Sequence, residues 1–104
     1  MSVVHVVAIL TTRPGKREEV LAALNEKVPN VLAEEGCIEY GATIDALDAG
    51  SIQTALGPDI FVAIEKWESV NHLKAHAETP HMATFGKKVK DLMAGRVVHV
   101  LSPS

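Results

Sequence analysis

The chain has a single cysteine, Cys37, so no disulfide can close within it, and a reducing cytoplasm is the expected compartment. Long apolar runs are absent too: the longest, Val6 to Leu10, falls far short of the roughly 18 to 20 residues of a membrane span. The amino terminus has neither the basic start nor the long apolar stretch of a signal peptide, so no membrane partner is expected. Positive charge is in deficit. Ten Lys and Arg stand against thirteen Asp and Glu, and a net charge of −3 gives phosphate backbones no basic footprint, which excludes nucleic acid as an expected partner. No repeat, low-complexity tract or linker is visible, and 104 residues leave no room for a second core, so residues 1–104 form one domain.

What is present is ordinary globular material, 47% hydrophobic and 22% charged, patterned into alternating strands and helices. Val3 to Leu10 is β-branched and nearly continuously apolar, as in a strand buried on both faces. Thr11 to Gly15 supplies a turn. From Lys16 a helix carries Val20, Leu21, Leu24, Val28, Val31 and Leu32 on one stripe, with Pro29 expected to kink it and Gly36 placed just past its end. Cys37 to Ile44 alternates at period two and reads as the second strand. The connection from Asp45 to Asp59 is longer than a hairpin needs and suggests either a short ribbon or a flap.

Ile60 to Trp67 is the third strand, and Ser69 caps a helix from Val70 to Glu78. Thr79-Pro80 breaks that helix and restarts it, because Thr caps well and Pro suits the first helical position. Met82, Phe85, Val89, Leu92 and Met93 mark the restarted helix, which Gly95 should end before a strand from Arg96 to Leu101. The order βαββαβ fits an α+β, ferredoxin-like four-stranded antiparallel sheet with helices on one face. The other face also carries apolar residues from the end strands, and a homodimer is the expected way to bury them.

Chemistry concentrates where the third strand passes into the following helix. Glu65 and Trp67 share a strand face with Phe61 and Ala63, while His72 and His76 overlie one another on the helix and His81 lies beyond the Thr79-Pro80 break. Histidine titrates near neutrality and a carboxylate can orient it, so proton transfer beside a flat Trp67 wall is one reading. The structural alternative leaves Trp67 in the core and His72 in solvent. A metal reading rests on His72 and His76 at the helical interval, with His81 or Glu65 needed as a third ligand, and the pattern lacks the glutamate of a zinc-protease helix. His5 and His99 read as satisfied structural histidines, Cys37 as inert, and Tyr40 as either pocket lining or edge packing.

Taken together, Pro14-Gly15-Lys16, Glu35-Gly36-Cys37 with Tyr40 after it, Glu65-Lys66-Trp67, and His76 with Thr79-Pro80-His81 and Phe85 resemble the antibiotic biosynthesis monooxygenase family. The resemblance implies a dimeric α+β barrel of ferredoxin-like subunits. It also implies oxidation of a quinol or polycyclic phenol by O2 with no metal, flavin or haem cofactor, the deprotonated aromatic substrate supplying the electrons. On that resemblance His76 and Trp67 take the catalytic positions, with Glu65, Tyr40, His81 and Phe85 as substrate-binding candidates. Ala8 stands where haem-degrading members carry asparagine, and no phosphate-binding glycine loop points to the sugar-phosphate relatives. A non-catalytic small-molecule-binding dimer and an isomerase of a small signalling metabolite are the alternatives on the same fold.

Overall fold

The structure is a computed structural model and describes residues 2–104. Its elements are β1 (Val4–Thr12), α1 (Arg17–Leu32), β2 (Cys37–Thr43), β3 (Ile60–Trp67), α2 (Val70–Ala77), α3 (Pro80–Val89) and β4 (Met93–Leu101). The strands pair antiparallel in the order β2-β3-β1-β4, which is the ferredoxin-like topology expected from the βαββαβ order. The helices lie on one face of the sheet. Alternate residues of β1 and β3 point to that face, so Val4, Val6, Ala8, Phe61, Ala63 and Trp67 are buried beneath Val20, Leu24 and Val31 of α1. Each large apolar side chain so buried contributes about 1.5 to 3 kcal/mol.

Register sets what stands beside what. Tyr40 is opposite Glu65, Glu65 opposite Val6, and Val6 opposite Val100, so these four form one row across the helix-covered face. A carboxylate therefore sits in the middle of an apolar layer.

Several sequence expectations are corrected. β1 is not covered on both faces: His5, Val7 and Ile9 are only half-buried, because within one chain no helix packs on their side. β4 begins at Met93 rather than Arg96, and Gly95 lies inside it opposite Thr11. The helix ends earlier, at Val89, followed by a 3₁₀ turn over Lys90–Leu92; the register then slips between Thr11 and Thr12, a bulge that accommodates the extra residue. Pro29 lies within α1, near its end, and the helix runs on to Leu32.

The connection between β2 and β3 holds neither a ribbon nor a strand, only a 3₁₀ turn at Gly50–Ile52. Asp45 organises it, its carboxylate accepting hydrogen bonds from the backbone N–H groups of Leu56 and Gly57 and from the Gln53 amide. Those backbone donors hold the Asp45 carboxyl below the ordinary carboxylate range. None of residues 45–59 reaches the large cavity described below, so the connection does not shape its entrance. Among the described residues no helix is long and apolar enough to cross a membrane.

Gly36, between α1 and β2, is fixed by two constraints. Its φ of +82° is the left-handed conformation, and a Cβ there would lie 2.3 Å from Cγ of His72. The ring of His72 thus occupies space that only glycine leaves open. His72 is half-buried rather than solvated, with Nδ1 hydrogen-bonded to Ser69 Oγ at 2.7 Å and Nε2 3.9 Å from Glu35. Ser69 Oγ also accepts from the His72 backbone N–H, which makes it the cap the sequence predicts for α2.

Candidate active site

The buried stripe of α1 runs Val20, Leu24, Lys27, Val31, and one further step of three residues reaches Glu34 in the turn beyond the helix. The helix thereby delivers a cation and an anion to the side facing the sheet. Glu34 is held by its backbone, whose N–H donates to Val31 O at 3.0 Å and whose carbonyl accepts from Cys37 N at 3.2 Å.

The Glu34 carboxylate gathers two histidines. Its Oε2 lies 2.9 Å from His76 Nδ1 and 2.7 Å from His81 Nε2. With neutral rings, both nitrogens must donate to the carboxylate, so His76 carries its proton on Nδ1 and leaves Nε2 as the basic nitrogen. The Thr79-Pro80 break makes this convergence feasible. The Thr79 hydroxyl does not cap α3 but donates to the His76 carbonyl at 2.9 Å, and α3 then turns His81 back toward Glu34.

Behind His76 stands Trp67, fully buried, its ring centroid 4.7 Å from that of His76 and tilted by 35°. Trp67 Nε1–H donates to Glu65 Oε1 at 2.9 Å, which gives the buried carboxylate a partner. Tyr40 meets the His76 ring edge-on at 5.5 Å. The Tyr40 hydroxyl is pushed above its ordinary pKa by burial and by the charges of Glu65 and Glu34, so it stays protonated at neutral pH. Burial and the same two carboxylates also raise the Cys37 thiol, leaving it without thiolate reactivity.

Between helices and sheet lies a cavity of about 680 Å³, lined by His76, Glu65, Tyr40, Phe85 and Lys27 among apolar side chains of β1, β3, α1 and α3. That volume suits a small polycyclic molecule. The geometry sorts the sequence-predicted residues. His76, Glu65, Tyr40 and Phe85 line one cavity. Trp67 does not; it backs His76 and Glu65, and the aromatic walls come from Tyr40 and Phe85 instead. His81 is likewise outside it, lining a separate cleft of about 210 Å³ between α1 and α3 while its Nε2 holds Glu34.

The His72 and His76 pair does not converge on one point, since His72 turns to Ser69 and His76 to Glu34. A divalent cation would instead find Glu34, His76 and His81, whose ligand atoms all lie within 4.8 Å of one another.

Two residues escape a reading of the sequence. Glu34 adjoins the Glu35-Gly36-Cys37 segment, and nothing in the chain singles it out from Glu35. Lys27 is only 7% exposed, and the signal for it was present: a lysine at a stripe position of an amphipathic helix. Its Nζ donates to Met82 Sδ at 2.8 Å and lies 4.0 Å from the Phe85 ring centroid. Burial lowers its pKa to about 8, opposed by the charges of Glu65 and Glu34.

Residues 3–88 match the family model described as antibiotic biosynthesis monooxygenase. The sequence is 41% identical over 100 residues to the "Probable quinol monooxygenase YgiN" of Escherichia coli (strain K12), covering 94% of this chain and 95% of that protein. Among solved structures, Rv0793 from Mycobacterium tuberculosis superposes with a TM-score of 0.79 at 29% identity, covering 99% of this chain and 96% of that one. PA3566 from Pseudomonas aeruginosa shares the fold, with a TM-score of 0.82 at 24% identity, covering 100% and 96% respectively.

Proposed function

Because the chain belongs to the antibiotic biosynthesis monooxygenase family, we propose that it oxidises a quinol or polycyclic phenol with molecular oxygen, His76 serving as the base. The observation that carries this reading is the Glu34–His76 pair at the wall of an aromatic-lined cavity. Glu34 fixes the tautomer by accepting from Nδ1–H, and His76 Nε2 is left to take a proton from a substrate hydroxyl. The name of the 41%-identical relative supports a quinol as the substrate class.

The electron balance closes without a redox cofactor. A naphthohydroquinone deprotonated by His76 passes an electron to O2, and recombination of the radical pair forms a C–O bond at a ring carbon. The resulting hydroperoxide loses water and leaves a hydroxynaphthoquinone. One oxygen atom is retained, the other departs as water, and the substrate supplies all four electrons. The protein's part is to remove the proton, to keep the site apolar, and to stabilise the anion that forms.

The test is oxygen uptake by metal-free protein offered a panel of quinols and anthrones. Glu34→Gln should lower kcat by about tenfold to a hundredfold, because an amide can donate as well as accept and no longer dictates the tautomer of His76. An unchanged rate in Glu34→Gln would remove the pair from the mechanism.

We also propose that two copies pack through the face of the sheet opposite the helices. Val7, Ile9, Val62, Ile64, Val97 and Leu101 lie on that face by register, and Val97 and Leu101 are each about half exposed in the single chain. Burying such a surface is the usual gain of a two-fold dimer. Sedimentation at micromolar concentration should give the mass of two chains, and a monomer throughout would exclude the arrangement.

A further inference from the structure

A lysine buried among apolar side chains is costly unless something meets its charge. Lys27 makes no salt bridge among the described residues, and its one hydrogen-bond partner, the Met82 thioether, is a weak acceptor. The two rings beside it, Phe85 at 4.0 Å and Tyr40 at 5.3 Å, attract a cation but do not neutralise it. Glu65 and Glu34 act on Lys27 from a distance but neither pairs with it, so the fold holds a largely desolvated, unpaired ammonium group on the wall of the 680 Å³ cavity.

The charges around that cavity tell the same story. Although the chain carries a net charge of −3, the charged residues lining the cavity are Lys27, Lys90 and Arg96 against the single carboxylate of Glu65. Lys90 and Arg96 are exposed, so a basic mouth leads to a buried basic group. Glu65 is bonded to Trp67, which stacks on His76, so its charge is held by a donor and disfavours an anion beside His76. A ligand's negative charge is thus directed to the Lys27–Phe85 end, with its neutral hydroxyl toward His76. Tyr40 spans the two ends, its ring centroid 5.3 Å from Lys27 Nζ and 5.5 Å from the His76 ring.

From this arrangement we propose that the cavity selects a hydroxyaromatic carboxylate, with Lys27 as the anion-binding residue and His76 facing the hydroxyl. A carboxylate is favoured over a bare phenol because the charge must exist at neutral pH, where a phenol, with a pKa of about 10, is still protonated. The inference rests on the quinol or phenol reading above and narrows its substrate class.

Equilibrium binding separates the two. Calorimetry with 6-hydroxy-2-naphthoate, whose two groups lie at opposite ends of the ring system, and with 2-naphthol at pH about 7, where Lys27 holds its proton, should give the naphthoate at least about tenfold tighter binding. Lys27→Met should erase that preference and Lys27→Arg keep part of it. The groups facing Lys27 are Glu34 beyond α1, Glu65 on β3, Tyr40 on β2, His76 on α2 and His81 on α3, with the exposed Glu26–Lys88 pair nearby. The naphthoate is ionised throughout, so its advantage should fade as the pH rises through about 8, where Lys27 is deprotonated.

A second readout is independent of any ligand. Lys27→Met should raise Tm by a few degrees, roughly, since it removes a buried charge while keeping volume. Such a variant, more stable but blind to the carboxylate, is what a binding lysine predicts and a structural one does not. Equal preference for the naphthoate in wild type and Lys27→Met, or a wild-type preference for 2-naphthol, would overturn the proposal. If no quinol is turned over yet the Lys27-dependent binding stands, the oxidation reading alone fails.

Discussion

Replacing His76 by alanine should lower the rate of quinol oxidation by about 10² to 10⁴-fold, the usual worth of a positioned general base. The loss should appear in kcat more than in KM, because Tyr40, Phe85 and the apolar cavity walls remain in place. His76 is 4% exposed and packed on Trp67, so its removal also leaves a void. His76→Gln is the control: it fills most of that space and can still donate to Glu34, but it cannot take a proton at neutral pH. Steady-state kinetics with folding checked by circular dichroism separate the two effects. Full activity in His76→Gln would show that the ring is structural and that another group removes the proton.

The largest effect on stability should come from Trp67→Ala, about 3 to 5 kcal/mol by urea unfolding. Trp67 is fully buried, and the loss has three parts: the apolar area of the indole, a cavity against His76, and the donor that satisfies Glu65. Trp67→Phe isolates the last of these. It retains most of the packing but strips a buried carboxylate of its 2.9 Å hydrogen bond, at a cost of about 1 to 3 kcal/mol. If Trp67→Phe were as stable as the native chain, the Trp67–Glu65 bond would have no part in holding the site together.

Most of the fold was legible because its periods are clean. The alternation in β2, the apolar stripe of α1, and the breaks at Ser69 and Thr79-Pro80 each correspond to an observed element or boundary. β4 was misplaced by three residues because a bulge lets Gly95 lie within a strand, where the sequence alone makes it a helix stop.

The site was legible in part, and for a related reason. Strand parity correctly places Glu65 and Trp67 on the helix-covered face, but parity gives the face and not the depth, so Trp67 was expected to line the cavity it only supports. The sequence left the direction of His81 open. Its direction depends on how α3 leaves the Thr79-Pro80 corner, a tertiary property that spacing does not encode. Lys27 and Glu34 were missed because a stripe is read by its apolar members, and these two occupy stripe positions with charges. A charged residue in step with an apolar stripe is the pattern that would have drawn attention to both.

The central claim is that one atom of O2 enters an aromatic substrate at the His76 end of the cavity, with no metal or redox cofactor taking part. Metal-free protein incubated with a naphthohydroquinone under ¹⁸O2 tests it, with the hydroxynaphthoquinone examined by mass spectrometry. The account predicts one ¹⁸O in the product and one in water, with incorporation lost in His76→Ala. Quinone formed with no label and with hydrogen peroxide as the by-product would contradict it.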